Sequence, residues 1–371
     1  MKRVISIIML IVLLSINISA AELNLDARSA ILIEADTGQV LYEYNADEAL
    51  PPASVTKVMT MLLVMEAIDS GKCSFSDMVQ VSEYAASMGG SQIFLSPGES
   101  MSVEDLLKSV TVASANDAAV ALAEFIAGSE ESFVARMNQR AVELGLNATH
   151  FENTNGLDDT TENHVTSARD IAIMSAELLR HPKILEFSSI WQDTIRNGAF
   201  TLSNTNRLIR FYNGANGLKT GSTSKAKFCI SASAKRDDMQ LIAVIMASPS
   251  RDARNESAKK LLDYGFANYS YARFDSKSAG EVRVLGGKGE GVDTYYDTFS
   301  AVVPKGAKVE QIINLPDEIS APVEKDDVLG TVEYRCDGEL VGYVDIKAAS
   351  DVERLGYFDI LGRIFINFLM I

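Results

Sequence analysis

The spacing of apolar residues near the N-terminus changes from short runs typical of strands to the period of a helix. Residues 30–34 and 40–44 are apolar-rich runs around an Asp-Thr-Gly-Gln turn, and they predict a β-hairpin. From Ser54 to Ile68, apolar residues recur at the i, i+3, i+4 and i+7 spacing of one helical face. We therefore expect a hairpin followed by a helix that begins at Ser54.

Helical periodicity continues through the middle of the chain. Ser102 is a favourable N-cap, and Asp105 three residues later approaches the capping-box pattern. Gly145 is a typical C-terminal stop for the helix that precedes it. The predicted helices begin at Ser102, span 116–126 and 131–144, and begin again near Thr166 or Ser167.

Strand character returns after Lys219. Residues 228–233 and 241–246 flank a Lys-Arg-Asp-Asp turn and predict a second hairpin. Residues 255–264 then predict a helix. The order of strands, helical block, strands and closing helix indicates an α/β (α+β) domain over residues 22–272.

Glycines around residues 276–291 mark a change of composition, and short β-rich runs follow them. We expect a small all-β domain, a β-sandwich, over residues 276–350. A Gly-Gly-Lys-Gly-Glu-Gly stretch lies within the glycine-rich segment, but no strand-loop-helix context or following Ser or Thr supports a phosphate loop. The predicted strands are 282–285, 299–303, 309–315, 328–334 and 340–348.

The two ends of the chain have patterns of their own. Residues 1–21 have a basic start, an apolar run and small residues at the end, which predict a secretory signal peptide cleaved after Ala20 or Ala21. An uncleaved N-terminal anchor is the alternative. Residues 351–371 predict an amphipathic helix that lies on a membrane surface. Docking of this helix on the protein itself, or a truncated membrane span, are the alternatives.

Composition limits the classes of function. Of 371 residues, 47% are hydrophobic and 23% charged, which is typical of globular domains, and the net charge of −16 argues against nucleic-acid partners. The three cysteines are far apart and lack metal-ligand spacing, so we expect neither a disulfide framework nor zinc. The histidines at positions 150, 164 and 181 are also widely spaced. We expect no metal and no cofactor, and we expect His164 to pack or cap locally.

Ser54-Val55-Thr56-Lys57 is an S-x-x-K sequence at the start of the predicted helix. If Ser54 opens the helix, Lys57 lies one turn later on the same face. A serine hydroxyl needs a neighbouring base to act as a nucleophile, and a lysine can be that base when burial or nearby cations lower its pKa. The four-residue S-x-x-K pattern is short enough to occur by chance. The alternative to a nucleophile and its base is an N-cap serine with an exposed lysine.

Two further short sequences can complete such a site. Ser114-Ala115-Asn116 lies between two predicted helices, where Ser114 can relay a proton and Asn116 can bind a substrate amide, although Ser-x-Asn is also a common cap. Lys219-Thr220-Gly221 opens the second strand region. Gly221 permits close approach of a substrate backbone, Lys219 supplies positive charge, and Thr223 supplies a further hydroxyl.

The ordered set S-x-x-K, S-x-N and K-T-G is the signature of penicillin-binding proteins and class A β-lactamases. The spacings, about sixty and about a hundred residues, resemble those of the low-molecular-weight penicillin-binding D-alanyl-D-alanine carboxypeptidases. The resemblance covers roughly residues 25–370 and implies a β-lactamase/transpeptidase-like domain with an antiparallel sheet. Further segments that resemble the family are Gly89–Ser91, Leu95–Glu99, Asn116–Ala119, His164–Asp170 and Leu261–Phe266.

The resemblance implies a role for each site residue. Ser54 forms an acyl-enzyme with the penultimate D-alanine of a peptidoglycan stem peptide, and Lys57 is the general base. Backbone N–H groups of Ser54 and Thr223 form the oxyanion hole. Arg254, seven residues before Leu261, is expected to reach the substrate's terminal carboxylate. Ser114 and Asn116 complete the catalytic set, and the substrate-binding set is Lys219, Thr220, Gly221, Thr223 and Arg254.

The sequence leaves other functions open. Glu143-Leu144-Gly145-Leu146-Asn147 matches the E-x-x-L-N pattern of the deacylating glutamate in class A β-lactamases, but it falls at a predicted helix stop. A β-lactamase, a D,D-transpeptidase and a non-enzymatic cell-wall scaffold are the alternatives to a penicillin-sensitive carboxypeptidase. We expect an exported protein on the outer face of the cytoplasmic membrane, with β-lactams as covalent inhibitors.

Overall fold

The computed structural model describes residues 23–369, and these form two compact units that divide after Asn268. The division lies a few residues before the expected domain boundary near residues 272–276. The predicted signal peptide lies outside the described residues.

The first unit contains a central sheet and a block of helices. Its strands are β1 Ser29–Glu34, β2 Val40–Tyr44, β3 Met78–Gln80, β4 Ser100–Ser102, β5 Gln192–Ile195, β6 Phe200–Ser203, β7 Ala215–Thr223, β8 Lys227–Arg236 and β9 Met239–Ser248. Its helices are α1 Lys57–Asp69, α2 Glu83–Ala86, α3 Val103–Val112, α4 Asn116–Ala127, α5 Glu130–Glu143, α6 Ala168–Leu179, α7 Ile184–Ser188, α8 Leu208–Phe211 and α9 Arg251–Asn268.

The central sheet is antiparallel and has five strands in the order β2-β1-β9-β8-β7. Strand β9 lies in the middle, and it is buried along most of its length, as expected for a strand with helices on its faces. Strand β7 is at one edge, so one side of its backbone remains available for another extended chain. This edge carries the Lys-Thr-Gly sequence.

Helix α1 passes through the centre of the helical block. Nine of its thirteen residues are buried, and it contacts α3, α4, α5 and α6. The residues with the spacing of one helical face are buried, and neighbours cover the helix on most other sides as well. Its first turn differs from the expectation of a helix from Ser54: residues Ala53–Thr56 form a 3-10 turn, and the α-helix proper begins at Lys57.

Serine side chains fix where several helices begin. The Ser102 hydroxyl accepts a hydrogen bond from the Asp105 backbone N–H, as the capping pattern predicts, and Ser167 does the same for Asp170. Gly145 follows α5 with a φ of +71°, which suits its predicted role as a stop. Helix α9 begins at Arg251 and is longer than the 255–264 span predicted from its apolar residues.

The second unit is mainly β and carries one C-terminal helix. Its elements are β10 Tyr269–Phe274, β11 Lys277–Leu285, β12 Gly291–Tyr296, β13 Phe299–Pro304, β14 Val309–Asn314, β15 Glu318–Ser320, β16 Val328–Cys336, β17 Glu339–Ala348 and α10 Tyr357–Leu369. A six-stranded sheet has the order β14-β16-β17-β12-β11-β15, and β10 pairs with β13. The sequence patterns predicted no strand at β10, β12 or β15, and β15 has only three residues. The predicted fold class, an α/β domain followed by a small all-β domain, is confirmed.

Asn138 on α5 holds the chain after the helix through both of its amide atoms. Its Nδ2 donates to the Phe151 carbonyl at 2.8 Å, and its Oδ1 accepts from the Phe151 N–H at 2.8 Å. Asn138→Ala leaves both groups of the buried Phe151 backbone without these partners. We expect the free energy of unfolding to fall by about 2–4 kcal/mol, measured by urea denaturation.

The adjacent Gln139 is the matched control. Its side chain is exposed, and within residues 23–369 it bonds only Glu143. We expect Gln139→Ala to change the free energy of unfolding by less than about 0.5 kcal/mol. Equal losses in the two variants would contradict the role given to Asn138.

Candidate active site

Ser54 lies in the 3-10 turn that leads into α1, and Lys57 is the first residue of that helix. The short spacing and the tight turn bring the two side chains onto the same side. Lys57 Nζ lies 2.9 Å from Ser54 Oγ. The predicted nucleophile and base are therefore within hydrogen-bond distance of each other.

The Lys57 amine is fully buried and has two further partners. Its Nζ donates to Asn116 Oδ1 at 2.6 Å and to the Asn155 backbone carbonyl at 2.8 Å. Burial lowers the pKa of Lys57 well below its usual 10.5, and the nearby Lys219 lowers it further, while Asp117 acts in the opposite direction. The environment thus favours the neutral amine.

A neutral amine has two N–H hydrogens and one lone pair. The carbonyl oxygens of Asn116 and Asn155 can only accept, so they take both hydrogens. The lone pair is then left for the Ser54 hydroxyl proton. The three contacts of Lys57 are those that a base acting on Ser54 requires.

Asn116 is held in place at the start of α4 by a loop that precedes α3. Its Nδ2 donates to the Gly89 carbonyl at 2.7 Å, which fixes Oδ1 toward Lys57, and its N–H donates to the Ser91 carbonyl at 2.7 Å. The neighbouring Asp117 carboxylate accepts from backbone N–H groups of residues 93 and 95. The short sequence Ser114-Ala115-Asn116 indicates Asn116 but not these supporting contacts.

Ser114 lies in the turn between α3 and α4, two residues before Asn116. Its φ is +62°, a left-handed conformation that is uncommon for serine, and the residue is largely buried. In the described part of the chain, its hydroxyl makes no hydrogen bond. It is therefore free to bind a substrate group.

Strand β7 passes directly beside the nucleophile. A Cβ added at Gly221 would lie 2.8 Å from the Pro52 carbonyl oxygen and 2.8 Å from the Ser54 backbone nitrogen. Only glycine allows this approach of the Lys-Thr-Gly strand. The Thr220 hydroxyl donates to Thr205 Oγ1 at 2.8 Å.

Lys219 and Arg254 are two buried cations on this side of the sheet. Lys219 Nζ donates to the Thr220 carbonyl at 2.9 Å, and burial together with Arg254 lowers the pKa of Lys219 to about 7. The Arg254 guanidinium bonds Asn255 Oδ1 and the Cys229 carbonyl, and burial lowers its pKa to about 10. Among the described residues, neither cation pairs with a carboxylate, which leaves a site suited to an anion.

Residues 16–250 match the D-alanyl-D-alanine carboxypeptidase family, and residues 273–354 match the C-terminal domain of penicillin-binding protein 5. This chain belongs to the D-alanyl-D-alanine carboxypeptidase family. The match agrees with the resemblance drawn from the three short sequences.

Individual carboxypeptidase relatives cover most of the chain. D-alanyl-D-alanine carboxypeptidase DacF of Bacillus subtilis is 46% identical, over 92% of this chain and 90% of the relative. Penicillin-binding protein 5 of Haemophilus influenzae is 34% identical, with a TM-score of 0.79 over 89% of this chain and 98% of that structure. Penicillin-binding protein D2 of Listeria monocytogenes, solved in its ampicillin-bound form, is 33% identical, with a TM-score of 0.58 over 66% of this chain and 99% of that structure.

In this member of the carboxypeptidase family, the Thr223 hydroxyl, which was expected to help hold the substrate, is engaged in hydrogen bonds within the protein. Its hydroxyl donates to Asp158 Oδ2 and accepts from the Ala226 N–H at 2.9 Å, so it ties the end of β7 to the chain after α5. The Lys225 ammonium donates to the Asp158 carbonyl. In this arrangement the Thr223 side chain joins the end of β7 to the segment that contains Asp158.

Sequence analysis missed the contribution of residues 152–164, which include Asn155, Asp158 and His164. The segment has turn-forming Asn, Asp and Gly residues, which predict only a loop. Asn155 acts through its backbone carbonyl, which no side-chain pattern can reveal. His164 was expected to pack or cap locally, and it does pack edge-on against the Phe151 ring and accept from the Glu152 N–H. It also belongs to a hydrogen-bond chain that reaches the turn of Ser54, which was not predicted.

Glu143, the residue suggested by the β-lactamase-like pattern, is the last residue of α5 and pairs with Arg140 on the surface. Residues 23–369 contain no cluster of His, Cys, Asp or Glu that could hold a metal ion, and all three cysteines are free.

Proposed function

We propose that this chain is a serine-type D-alanyl-D-alanine carboxypeptidase that removes the terminal D-alanine from peptidoglycan stem pentapeptides. The observation that carries the proposal is the Lys57 amine, whose two N–H groups go to Asn116 and Asn155 and whose lone pair faces Ser54. Membership of the carboxypeptidase family supports the same reaction.

In the proposed acylation step, Ser54 attacks the carbonyl carbon of the penultimate D-alanine as its proton passes to Lys57. The carbonyl oxygen becomes an oxyanion, held by the backbone N–H groups of Ser54 and Thr223. Ser54 lies in the first turn of a helical segment, where N–H groups have no partner within the helix. The proton then passes through Ser114 to the amine of the leaving D-alanine, and an ester on Ser54 remains.

Deacylation repeats the same proton transfers with water in place of the departed D-alanine. Lys57 takes a proton from the water as it attacks the ester, and the Ser54 oxygen recovers that proton when the ester bond breaks. The products are a shortened peptide with a new carboxylate and the free enzyme. One lysine lone pair thus serves both steps.

The substrate is held by its backbone and by its terminal carboxylate. The free edge of β7 can pair with an extended peptide, and Gly221 lets the peptide come close to Ser54. Arg254 and Lys219 provide buried positive charge without a carboxylate partner in the described residues. A free C-terminal carboxylate is therefore part of the recognition, and β-lactams, which carry a carboxylate and an acylating carbonyl, fit the same site as covalent inhibitors.

Release of free D-alanine from diacetyl-L-lysyl-D-alanyl-D-alanine, together with labelling by a fluorescent penicillin, tests this proposal. We expect the wild-type chain to do both, with a penicillin acyl-enzyme that lasts minutes or longer. Ser54→Ala removes the nucleophile, so we expect labelling to vanish and D-alanine release to fall by at least about 1,000-fold.

Other outcomes favour other functions. Rapid loss of the penicillin label with release of hydrolysed penicillin indicates a β-lactamase, and transfer of the acyl group to an added amine indicates a transpeptidase. Absence of both labelling and D-alanine release in the wild type indicates a scaffold. Equal labelling of Ser54→Ala and wild type contradicts the assignment of the nucleophile.

The two buried lysines predict a bell-shaped dependence of kcat/KM on pH for this peptide. Below the lowered pKa of Lys57 the amine carries a third proton and has no lone pair, so activity falls as the pH falls. Above the Lys219 pKa of about 7, loss of its positive charge weakens binding of the carboxylate, so activity falls as the pH rises.

The Lys219→Arg variant tests which residue sets the acidic limb and which sets the alkaline limb of the pH profile. A guanidinium stays charged, so we expect the alkaline limb to move upward by about one pH unit or more while the acidic limb stays in place. An alkaline limb at the same pH in both proteins would show that Lys219 does not set it.

We further propose that the protein is exported and binds the outer face of the cytoplasmic membrane through α10. Residues 23–369 contain no helix long and apolar enough to cross a membrane. Helix α10 instead presents apolar side chains to solvent: Phe358 is 85% exposed and Phe365 is 66% exposed. Exposed apolar side chains along a short helix fit binding in the plane of a membrane surface.

Cosedimentation with vesicles of phosphatidylglycerol and phosphatidylcholine tests the role of α10. We expect the full chain to bind, and Phe358→Asp with Phe365→Asp to lower the partition coefficient by at least about 10-fold. Penicillin acylation should not change. Because the chain carries a net charge of −16 and phosphatidylglycerol is anionic, binding should depend on apolar insertion and should not weaken as salt is added.

Val142→Asp is the matched control, since Val142 is an apolar residue on α5 that is 81% exposed. We expect this variant to bind vesicles as the wild type does. Unchanged binding of the Phe358 and Phe365 double variant would contradict the proposed role of α10.

A further inference from the structure

Ala53, the residue immediately before the proposed nucleophile, has a left-handed backbone conformation. Its φ is +49°, and its side chain is buried. Residues other than glycine seldom adopt this region, and they keep it only where the surrounding structure holds them. The contacts that hold Ala53 therefore also determine where Ser54 lies.

A chain of hydrogen bonds reaches Ala53 from a buried histidine. The Thr56 hydroxyl donates to the Ala53 carbonyl at 2.8 Å, and Thr56 Oγ1 lies 2.7 Å from His164 Nε2. The Glu152 N–H donates to His164 Nδ1 at 3.0 Å. The Thr56 hydroxyl hydrogen is used in the bond to the Ala53 carbonyl, and His164 Nδ1 accepts from Glu152. The imidazole hydrogen is therefore on Nε2 and points to Thr56 Oγ1.

The segment that carries His164 also touches the catalytic lysine. Asn155 in this segment provides the carbonyl that accepts from Lys57 at 2.8 Å. Gly156 packs so closely that an added Cβ would lie 1.9 Å from the Ala53 carbonyl oxygen. A displacement of residues 152–164 would therefore disturb Ala53 and the Lys57 amine together.

We propose that His164 is a positioning residue for the acylation step. Through Thr56 it holds the turn that presents Ser54, and through its own segment it keeps the Asn155 carbonyl on Lys57. The proposal rests on Ser54 being the nucleophile. It assigns no contact between His164 and the substrate.

The charge state of His164 matters to this arrangement. Burial lowers its pKa to about 4, with His150 acting in the same direction and Glu152 and Asp158 in the opposite one. At neutral pH the ring is neutral, as the hydrogen bonds require. A second proton would occupy Nδ1 and face the Glu152 N–H, so the segment could not keep its position.

Acylation rate constants of the full chain with a fluorescent penicillin test the proposal at pH 7.5, below the unfolding temperature of every variant. We expect His164→Ala and Thr56→Val each to slow acylation by about 10- to 100-fold, because small displacements of reacting groups have effects of this size. The double variant should be no slower than the slower single variant, since both break one chain of contacts.

Conservative variants separate positioning from loss of folding. Glutamine can accept from the Glu152 N–H and donate to Thr56, so His164→Gln should recover most of the rate. His150→Gln is the matched control, because His150 is an exposed histidine close in sequence, and it should acylate at the wild-type rate. If His164→Ala does not fold, Thr56→Ser, which keeps the hydroxyl, and Thr56→Val provide the same comparison.

Wild-type acylation in His164→Ala, or in Thr56→Val, would overturn the proposal. So would a double variant whose loss equals the product of the two single losses, which would show that the residues act independently. Failure of the wild-type chain to be labelled at Ser54 would instead reject the proposed function, so the two failures are distinguishable.

Discussion

The site depends on keeping the lysine amine of residue 57 fully buried and neutral. A buried ammonium without a counter-ion is costly, and the nearby positive charge of Lys219 adds to that cost, so both effects favour loss of the proton. A buried neutral amine still needs its two N–H groups satisfied. The fold meets this need with one side-chain oxygen and one backbone carbonyl, and the remaining lone pair has the Ser54 hydroxyl as its neighbour.

Each partner of the amine comes from a different part of the chain. Helix α1 carries the lysine, the start of α4 carries Asn116, and the segment after α5 carries the Asn155 carbonyl. These elements are themselves tied together by buried polar groups, such as the hydrogen bonds from Asn116 to the Gly89 carbonyl and from Thr223 to Asp158. The reactive geometry is thus a property of the packed helical block and of the sheet edge, and not of the S-x-x-K sequence alone.

The site combines side chains from short motifs with backbone groups from distant segments, and this difference explains which parts could be predicted from the sequence. The roles proposed for Ser54, Lys57, Asn116 and Lys219 belong to side chains at fixed spacings in ordered motifs, so residue types alone indicated these residues. The fold class followed from strand and helix periods and from the resemblance to the family. Asn155 contributes a backbone carbonyl, and Asp158 supports another residue, so neither leaves a signal in residue type or spacing. The burial of helix α1 on most of its sides was not predicted, because a pattern along one face does not show how many neighbours cover the others.

The same contacts bear on the choice between carboxypeptidase and β-lactamase. Rapid deacylation in class A β-lactamases relies on a glutamate that activates water, and the residue that matches that pattern here, Glu143, is on the surface and paired with Arg140. In the proposed mechanism, water attack on the Ser54 ester uses Lys57 again. After a peptide is cleaved, the departing D-alanine leaves room for that water near the amine. A β-lactam is opened without losing a fragment of this kind, so its remainder stays in the site and hinders water. One shared base therefore favours turnover of the peptide and a long-lived adduct with penicillin.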